Sequence, residues 1–534
     1  MKKLIFIFSS LFLCSLFTFG QLQINWQQSY GGSEYENAAS TIQTEDGGYF
    51  VLGASASIDG HISNNIGNGD YWIVKVDDMG NILWDKSFGG SSGEYLYDGF
   101  YAANSNDIYL VGHSGSTDGD ISFDPYSGET NIWAVRINNN GDIIWDRKVG
   151  SPIGLIYEKW GSPTNDGGVI CAAQADYQGG DITTYYGFYD AWIIKLNSLG
   201  ETEWDFTMGT SSLEAINEIV QTSDGGYVAA IYGSPTGTDG NIDCECINYS
   251  VDAIVYKIDA NGNGEWNRCY GGSQDDGIST ILETEDGYLV AGVSESNDGD
   301  LEGSGWHGDY DIWLFKIDLS GNIIWSKCYG GTNYDSPREI FETVDGDFII
   351  FSITHSFNCD VIGNPSMDEF NPSIWVFKID TDGNLLWQQC IGGRATERVH
   401  GVTQLPNNNY AVAAETNFSP SGDVNCSNFI QGWGSDYWAF GLTDVTVGVN
   451  ELSSPREVAI YPNPASSTLT IQLPEFYDIE HTVLELIDIN GSLVLKLNPE
   501  SLVSHLDIRH LKRGLYMMKI LHESTLRTKK IVIE

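Results

Sequence analysis

The chain has 534 residues, with 26 Lys+Arg against 73 Asp+Glu and a formal charge of −47. That charge rules against nucleic acid or an anionic membrane surface as partner, because phosphates would be repelled. Hydrophobic residues make up 41%, and 61 glycines accompany 28 Tyr, 22 Phe and 16 Trp, which excludes a disordered chain and suggests a turn-rich all-β protein.

Residues 1–20 read as a secretory signal. Lys2 and Lys3 form a basic start, and Leu4 to Phe19 is an apolar run too short to favour a spanning helix. Cys14 follows Leu13, where a lipoprotein signal wants a small residue. No later run reaches the roughly 18–20 apolar residues a transmembrane helix needs. Eight cysteines remain beyond Cys14. In an oxidising compartment some should pair, but spacing leaves the connectivity open.

A repeat then occupies most of the chain. Trp26, Trp84, Trp145, Trp204, Trp266, Trp325 and Trp387 recur at spacings of 58, 61, 59, 62, 59 and 62, a period that marks tandem architecture. Each unit predicts four strands. In the first, Ala38 to Thr44 alternates, Asp46-Gly47-Gly48 turns, and Tyr49 to Ser55 returns. A polar loop through Asp59-Gly60 leads to Tyr71 to Val76. A Gly80 turn then leads into Ile82 to Phe88. The third strand carries Trp72, Trp133, Trp192, Trp313, Trp375 and Trp438, with a cation usually three residues on. Thirteen of the sixteen tryptophans belong to this scheme, and burial between neighbouring sheets explains them better than ligand stacking.

Seven such units predict a seven-bladed β-propeller over residues 21–445. Residues 23–30 match only a fourth strand, and the last unit stops after its third, at Tyr437 to Leu442. The N-terminal strand should therefore complete the seventh blade and hide two sheet edges. The fourth-strand phrase, as in Asp318…Gly321-Asn322-Ile323-Ile324-Trp325, resembles repeats of quinoprotein-like propellers. That family implies a cofactor site, but no matching site residues occur here.

The loops between second and third strands vary most. Acidic glycine phrases open many of them, including Asp118-Gly119-Asp120 and Asp298-Gly299-Asp300, and Asp311 closes one. Asp118, Asp120, Asp298, Asp300 and Asp311 are candidate oxygen ligands for Ca²⁺; structural turns are the stronger reading, and no other cofactor is expected. Tyr186, Trp306, Tyr310, Phe370 and Trp433 are aromatics outside the repeat and form the candidate ligand-binding set. The competing reading is that they pack the loops down. The nine histidines are scattered, no nucleophile or phosphate motif occurs, and catalytic residues are left unassigned.

Up to Thr446 the mature chain holds 15 Lys+Arg against 62 Asp+Glu; from Val447 onward the ratio is 9 to 11. After a linker at 446–455, residues 456–534 form a different module. Its landmarks are Ile460-Tyr461-Pro462-Asn463-Pro464-Ala465, Leu486-Ile487-Asp488-Ile489-Asn490-Gly491, Gly514-Leu515-Tyr516 and Lys529-Lys530-Ile531-Val532-Ile533. The module resembles the type A C-terminal sorting domain of the type IX secretion system of Bacteroidetes. The resemblance implies a small Ig-like β-sandwich read by the outer-membrane translocon. It also implies later removal, which leaves the cargo on the cell surface or released.

The expected protein is thus an exported propeller. Its partners are the secretion machinery and a glycan or surface-protein ligand, and it is not expected to be an enzyme. A polysaccharide hydrolase or lyase in the propeller funnel is the alternative.

Overall fold

The computed structural model describes residues 22–154, 156–235, 239–244, 246, 250–366, 368–417, 420–426 and 436–444. In the tail it describes 459–461, 468–473, 482–488, 493–499, 501, 503–509, 511–522 and 525–533. The signal at 1–20, the 446–455 linker, Trp433 and the Asn490-Gly491 turn lie outside the described residues. The chain divides into two compact units, Met1–Thr446 and Val447–Glu534.

The first unit is a β-propeller of seven four-stranded antiparallel sheets. Blade 1 runs outward through Glu36–Gln43, Tyr49–Ser55, Asp70–Val76 and Ile82–Phe88. Blade 7 takes its inner three strands from Glu397–Leu405, Asn409–Thr416 and Asp436–Asp444; its outer strand is Leu22–Tyr30 from the N-terminus. The join is registered from Leu22↔Asp444 to Tyr30↔Tyr437. Gln389 of blade 6 holds it further, donating to Leu22 O (3.1 Å) and accepting from Leu22 N (3.2 Å). Each blade's inner strand contacts the next, and blade 7 contacts blade 1, so the circle is closed.

The tryptophans behave as blade-to-blade packing requires. Trp72, Trp133, Trp192, Trp313, Trp375 and Trp438 are fully buried in third strands. Each indole N–H is satisfied by a fourth-strand side chain, as in Trp192 Nε1 to Asp205 Oδ2 (3.1 Å) and Trp438 Nε1 to Gln27 Oε1 (3.1 Å). The fourth-strand tryptophans cross to the next blade instead. Trp204 lies against Gly262, where φ is +83° and an added Cβ would come within 2.7 Å of the ring. Only glycine suits that turn. Where a cation stands three residues after the third-strand tryptophan it reaches the acid of the first hairpin turn, as Lys316 does with Asp286 (2.7 Å) and Lys378 with Asp345 (2.6 Å).

The second unit pairs a three-stranded sheet (Ala459–Tyr461, Thr468–Gln472, Val503–Asp507) with a four-stranded one (Leu493–Leu497, Thr482–Asp488, Gly514–His522, Thr525–Ile533). Leu469, Ile471 and Leu506 from the first meet Leu484, Leu486, Met518 and Ile520 from the second in one core. That is the sandwich arrangement.

Candidate functional site

The seven inner strands surround a central channel, and one irregularity shapes its wall. At the same register in six blades the inner strand carries a β-bulge: after Ala38, Leu96, Ile216, Ile278, Pro337 and Val399 one residue is inserted opposite the second strand. Blade 3 is irregular at the corresponding place, between Ile156 and Trp160. A regular strand would show the channel every second side chain; a bulge turns two neighbours the same way. Tyr97 and Asp98, Asn217 and Glu218, Ser279 and Thr280, and Arg338 and Glu339 all line the channel, together with Ala39 and His400.

The channel opens into two chambers of about 460 and 520 Å³. Both are bounded by Ala39, Tyr97, Asp98, Gly161, Glu218, Glu339 and His400, which form the waist between them. The first chamber lies towards the inner-strand starts and is walled by Asn37, Tyr95, Tyr232 and Tyr334. Tyr95 and Tyr97 have ring centroids 4.8 Å apart, and His113 stacks on Tyr95 at 5.9 Å.

The waist acids are reached by water through the channel yet ringed by protein. Burial pushes Asp98 up to about 7, against a hydrogen bond from Gly99 N (2.7 Å). Burial likewise raises Glu218 to about 7, although Ile281 N donates to it at 2.7 Å. Glu339 is raised by burial and by the facing Glu218 and Asp98, with Arg338 opposing. In blade 7, burial pulls Glu415 upward, but His400 (3.6 Å) and Arg398 (3.0 Å) hold its carboxyl down at about 2.

The described candidates read from the sequence, Tyr186, Trp306, Tyr310 and Phe370, lie in loops between second and third strands. Tyr186 is 36% exposed, and its N–H donates to Asp190 Oδ2 (2.6 Å). Trp306 is half-buried against the core between blades 4 and 5, with Nε1 donating to Asp309 O (3.1 Å). Tyr310 meets Tyr334, a channel residue, edge-on at 5.7 Å. Phe370 is 78% exposed. Tyr186 and Phe370 belong to blades 3 and 6, so Trp306 and Tyr310 are the pair that shares one loop.

The acidic loops clasp the entrance to their own blade. Asp118 Oδ1 accepts from Ser91 N (2.8 Å) and Asp120 Oδ2 from Gly89 N (3.1 Å). Asp298 and Asp300 repeat this with Ser273 N (2.8 Å) and Gly271 N (3.1 Å). Asp311 Oδ2 accepts from His307 N (2.6 Å), with His307 Nδ1 3.0 Å away. Among the described residues no three His, Cys, Asp or Glu side chains converge as a metal site.

Reading the sequence missed the waist residues altogether. One signal was available: Asp98, Glu218 and Glu339 each stand four residues after the acid that opens the inner strand (Glu94, Glu214, Asp335).

Residues 459–534 match the family described as secretion system C-terminal sorting domain. The chain is therefore an exported β-propeller delivered by type IX secretion, and its tail interacts with that machinery. Among the described residues no helix is long and apolar enough to cross a membrane. Of the solved structures, a protein of unknown function from Bacteroides caccae is 14% identical, with a TM-score of 0.32 over 64% of this chain and 94% of that one. Drosophila plexin A in complex with semaphorin 1b is 8% identical, with a TM-score of 0.40 over 80% and 88%. Hydrazine synthase of Kuenenia stuttgartiensis is 10% identical, with a TM-score of 0.34 over 58% and 73%. All three scores are low, and nothing about a ligand follows from them. No curated protein matches the chain.

Proposed function

We propose that this protein is a binding module of the bacterial cell surface, or of the medium, that recognises a glycan or a surface protein through its loop-bearing face. In this reading residues 1–20 are a signal peptide and 21–445 the working propeller, while the 446–455 linker and the 456–534 tail serve delivery by a Bacteroidetes secretion system. The observation that carries it is the set of aromatic side chains left in water on that face, with Phe370 78%, Phe188 60% and Tyr177 47% exposed. Aromatic rings held in water beside hydrogen-bonding groups suit sugar faces and protein hot spots. Tyr186, Trp306, Tyr310, Phe370 and Trp433 are the proposed contacts. Asp118, Asp120, Asp298, Asp300 and Asp311 each already hold a backbone N–H through one oxygen, so a Ca²⁺ at these loops would bind through the other.

A second reading, a polysaccharide hydrolase or lyase, is favoured by the three waist acids, two of them raised to about 7. Such values suit proton transfer near neutral pH. A glycan array with the exported protein, followed by assay of whichever glycans bind, separates the two. Retention without product is expected. Accumulating reducing ends or unsaturated sugars would overturn the binding reading in favour of the enzyme.

A further inference from the structure

The waist of the channel carries chemistry that the loop aromatics do not. The blades repeat their strand pairing and most of their buried tryptophans, but the bulge pairs do not repeat: Tyr97–Asp98, Asn217–Glu218 and Arg338–Glu339 differ from one another in size, charge and hydrogen-bonding sense. A frame that repeats with a lining that varies presents different groups on different sides of the channel, which suits an asymmetric ligand.

The lining also has hydrogen-bonding capacity to spare. Neither the Arg338 guanidinium nor the Glu339 carboxyl has a hydrogen-bond partner among the described residues. Asp98 and Glu218 each accept one backbone N–H and retain further lone pairs. Donors and acceptors are therefore both unfilled, within a chamber of about 460 Å³, a volume typical of small-ligand sites.

Charge narrows the ligand class. Asp98, Glu218 and Glu339 disfavour an anionic chain, and Arg338 and His400 stand beside them, so the lining offers acceptors and donors together. Hydroxyl groups satisfy both sets, because each can donate and accept. Tyr95 and Tyr334, on the chamber wall, offer ring faces to the apolar side of a sugar. The closed circle of inner strands sets the approach: a polymer reaches the waist end first or not at all.

We infer that the channel waist is the selecting site of this protein and that it takes the terminus of a neutral oligosaccharide. The inference rests on the binding reading above and narrows its ligand to one class at one place.

The test uses the full-length exported protein and an array of neutral gluco-, manno-, galacto- and xylo-oligosaccharides beside uronate- and amine-bearing counterparts. Arg338→Ala and Glu218→Gln are each expected to weaken a neutral ligand by about tenfold or more. Ser279→Trp, which fills the first chamber beside the waist without removing a charge, is expected to abolish binding. Thermal melts of the three variants identify any that fails to fold, and the remaining ones carry the test. Trp306→Ala and Phe370→Ala, in the loop contact set, are expected to weaken short neutral oligosaccharides less than the waist variants do. If the loop variants abolish binding and the waist variants do not, the inference falls while the binding reading stands. A preference for uronate or amine chains overturns the ligand class. Retention of a protein partner with no saccharide bound overturns the inference.

Discussion

Five of the seven corners where one blade passes to the next hold two acids across a glycine. At Gly31 an added Cβ would lie 2.6 Å from Asp436 Oδ1 and 2.7 Å from Glu36 Oε2; at Gly271 the matching oxygens are Asp252 Oδ1 (2.8 Å) and Asp276 Oδ2 (2.9 Å). Asp70 with Glu94, Asp190 with Glu214 and Asp311 with Asp335 complete the set. Where the sequence has Leu155 instead of the inner-strand acid, the third strand supplies Asn131 instead of Asp. Asn131 accepts from Ser151 N (2.9 Å) and donates to Ser151 O (3.1 Å), as a protonated acid would. Asp190 is fully buried, and its Oδ1 has no hydrogen-bond partner among the described residues. Burial raises it from 3.8 to about 6; burial raises Glu214 from 4.5 to about 7, with Asp190 and Asp239 adding to it. Both hold a proton more tightly folded than unfolded. The stability they contribute is therefore complete below about pH 4 and is lost as pH rises through 6 to 7. Asp190→Asn keeps an acceptor for Tyr186 N and places a donor towards Glu214. The variant should match the parent at pH 3 and exceed it at pH 8 by on the order of 2–3 kcal/mol. Denaturant unfolding at the two pH values checks this, and equal losses at both would refute the shared-proton account. The Asp positions are visible as a column in the sequence. Their partners are not, because nothing local says that an acid one blade later in the chain faces them.

At the scale of the element, strands were legible and bulges were not. Tyr49–Ser55 and Ile82–Phe88 lie where alternation and turn residues placed them, because period-2 patterning and positive-φ glycines act locally. A bulge is a relation between two strands, so a single strand's sequence shows it only as a break in alternation. That break was readable at Asp98, Glu218 and Glu339. Other blades carry Thr280 and Gly401 at the same place, so no single residue type marks the bulge along the repeat. The pairing itself offers a test. In blade 5, Ile278 faces Gly292 and Thr280 faces Ala291, with Ser279 the inserted residue. Deleting Ser279 makes the ladder continuous and leaves every other pair in register. Deleting Leu282, which faces Leu289, forces the strand's remaining end to slip by one and turns its faces over. The Ser279 deletion should yield a folded protein with a near-parental melting temperature and a changed channel. The Leu282 deletion should be recovered unfolded or aggregated. Circular dichroism melts on both decide it, and equal damage from the two would mean the bulge is not the separable feature inferred here.

For the whole molecule the decisive step is closure, since two chain segments far apart in sequence must share blade 7. The phase of the repeat announced that much, because a fourth strand without a blade and a blade without a fourth strand can pair only with each other. The structure adds the fastening. Gln27 Oε1 accepts from Asn425 N (3.0 Å), as Asn267 Oδ1 accepts from Asp243 N (2.9 Å) in blade 4. One residue further along each loop stand Cys426 and Cys244. Cys244 is bonded to Cys269 on the fourth strand, with their Cα atoms 5.6 Å apart. The residue matching Cys269 in the N-terminal strand is Ser29, which is buried and whose Oγ has no hydrogen-bond partner among the described residues. Blade 7 thus has one half of the blade 4 disulfide and the geometry for the other. Ser29→Cys should form a bond to Cys426 under oxidising conditions and lock the circle across nearly the whole propeller. A loop of that length gives a stabilisation of about 2–5 kcal/mol by restricting the unfolded chain. Peptide mapping without reductant identifies the bond, and denaturant unfolding with and without reductant, beside the parent protein, isolates its effect from that of Cys244–Cys269. If the introduced thiol stays free while Cys244 and Cys269 remain joined, the two blades do not share the loop geometry, and the N-terminal strand is held by its ladder and Gln389 alone.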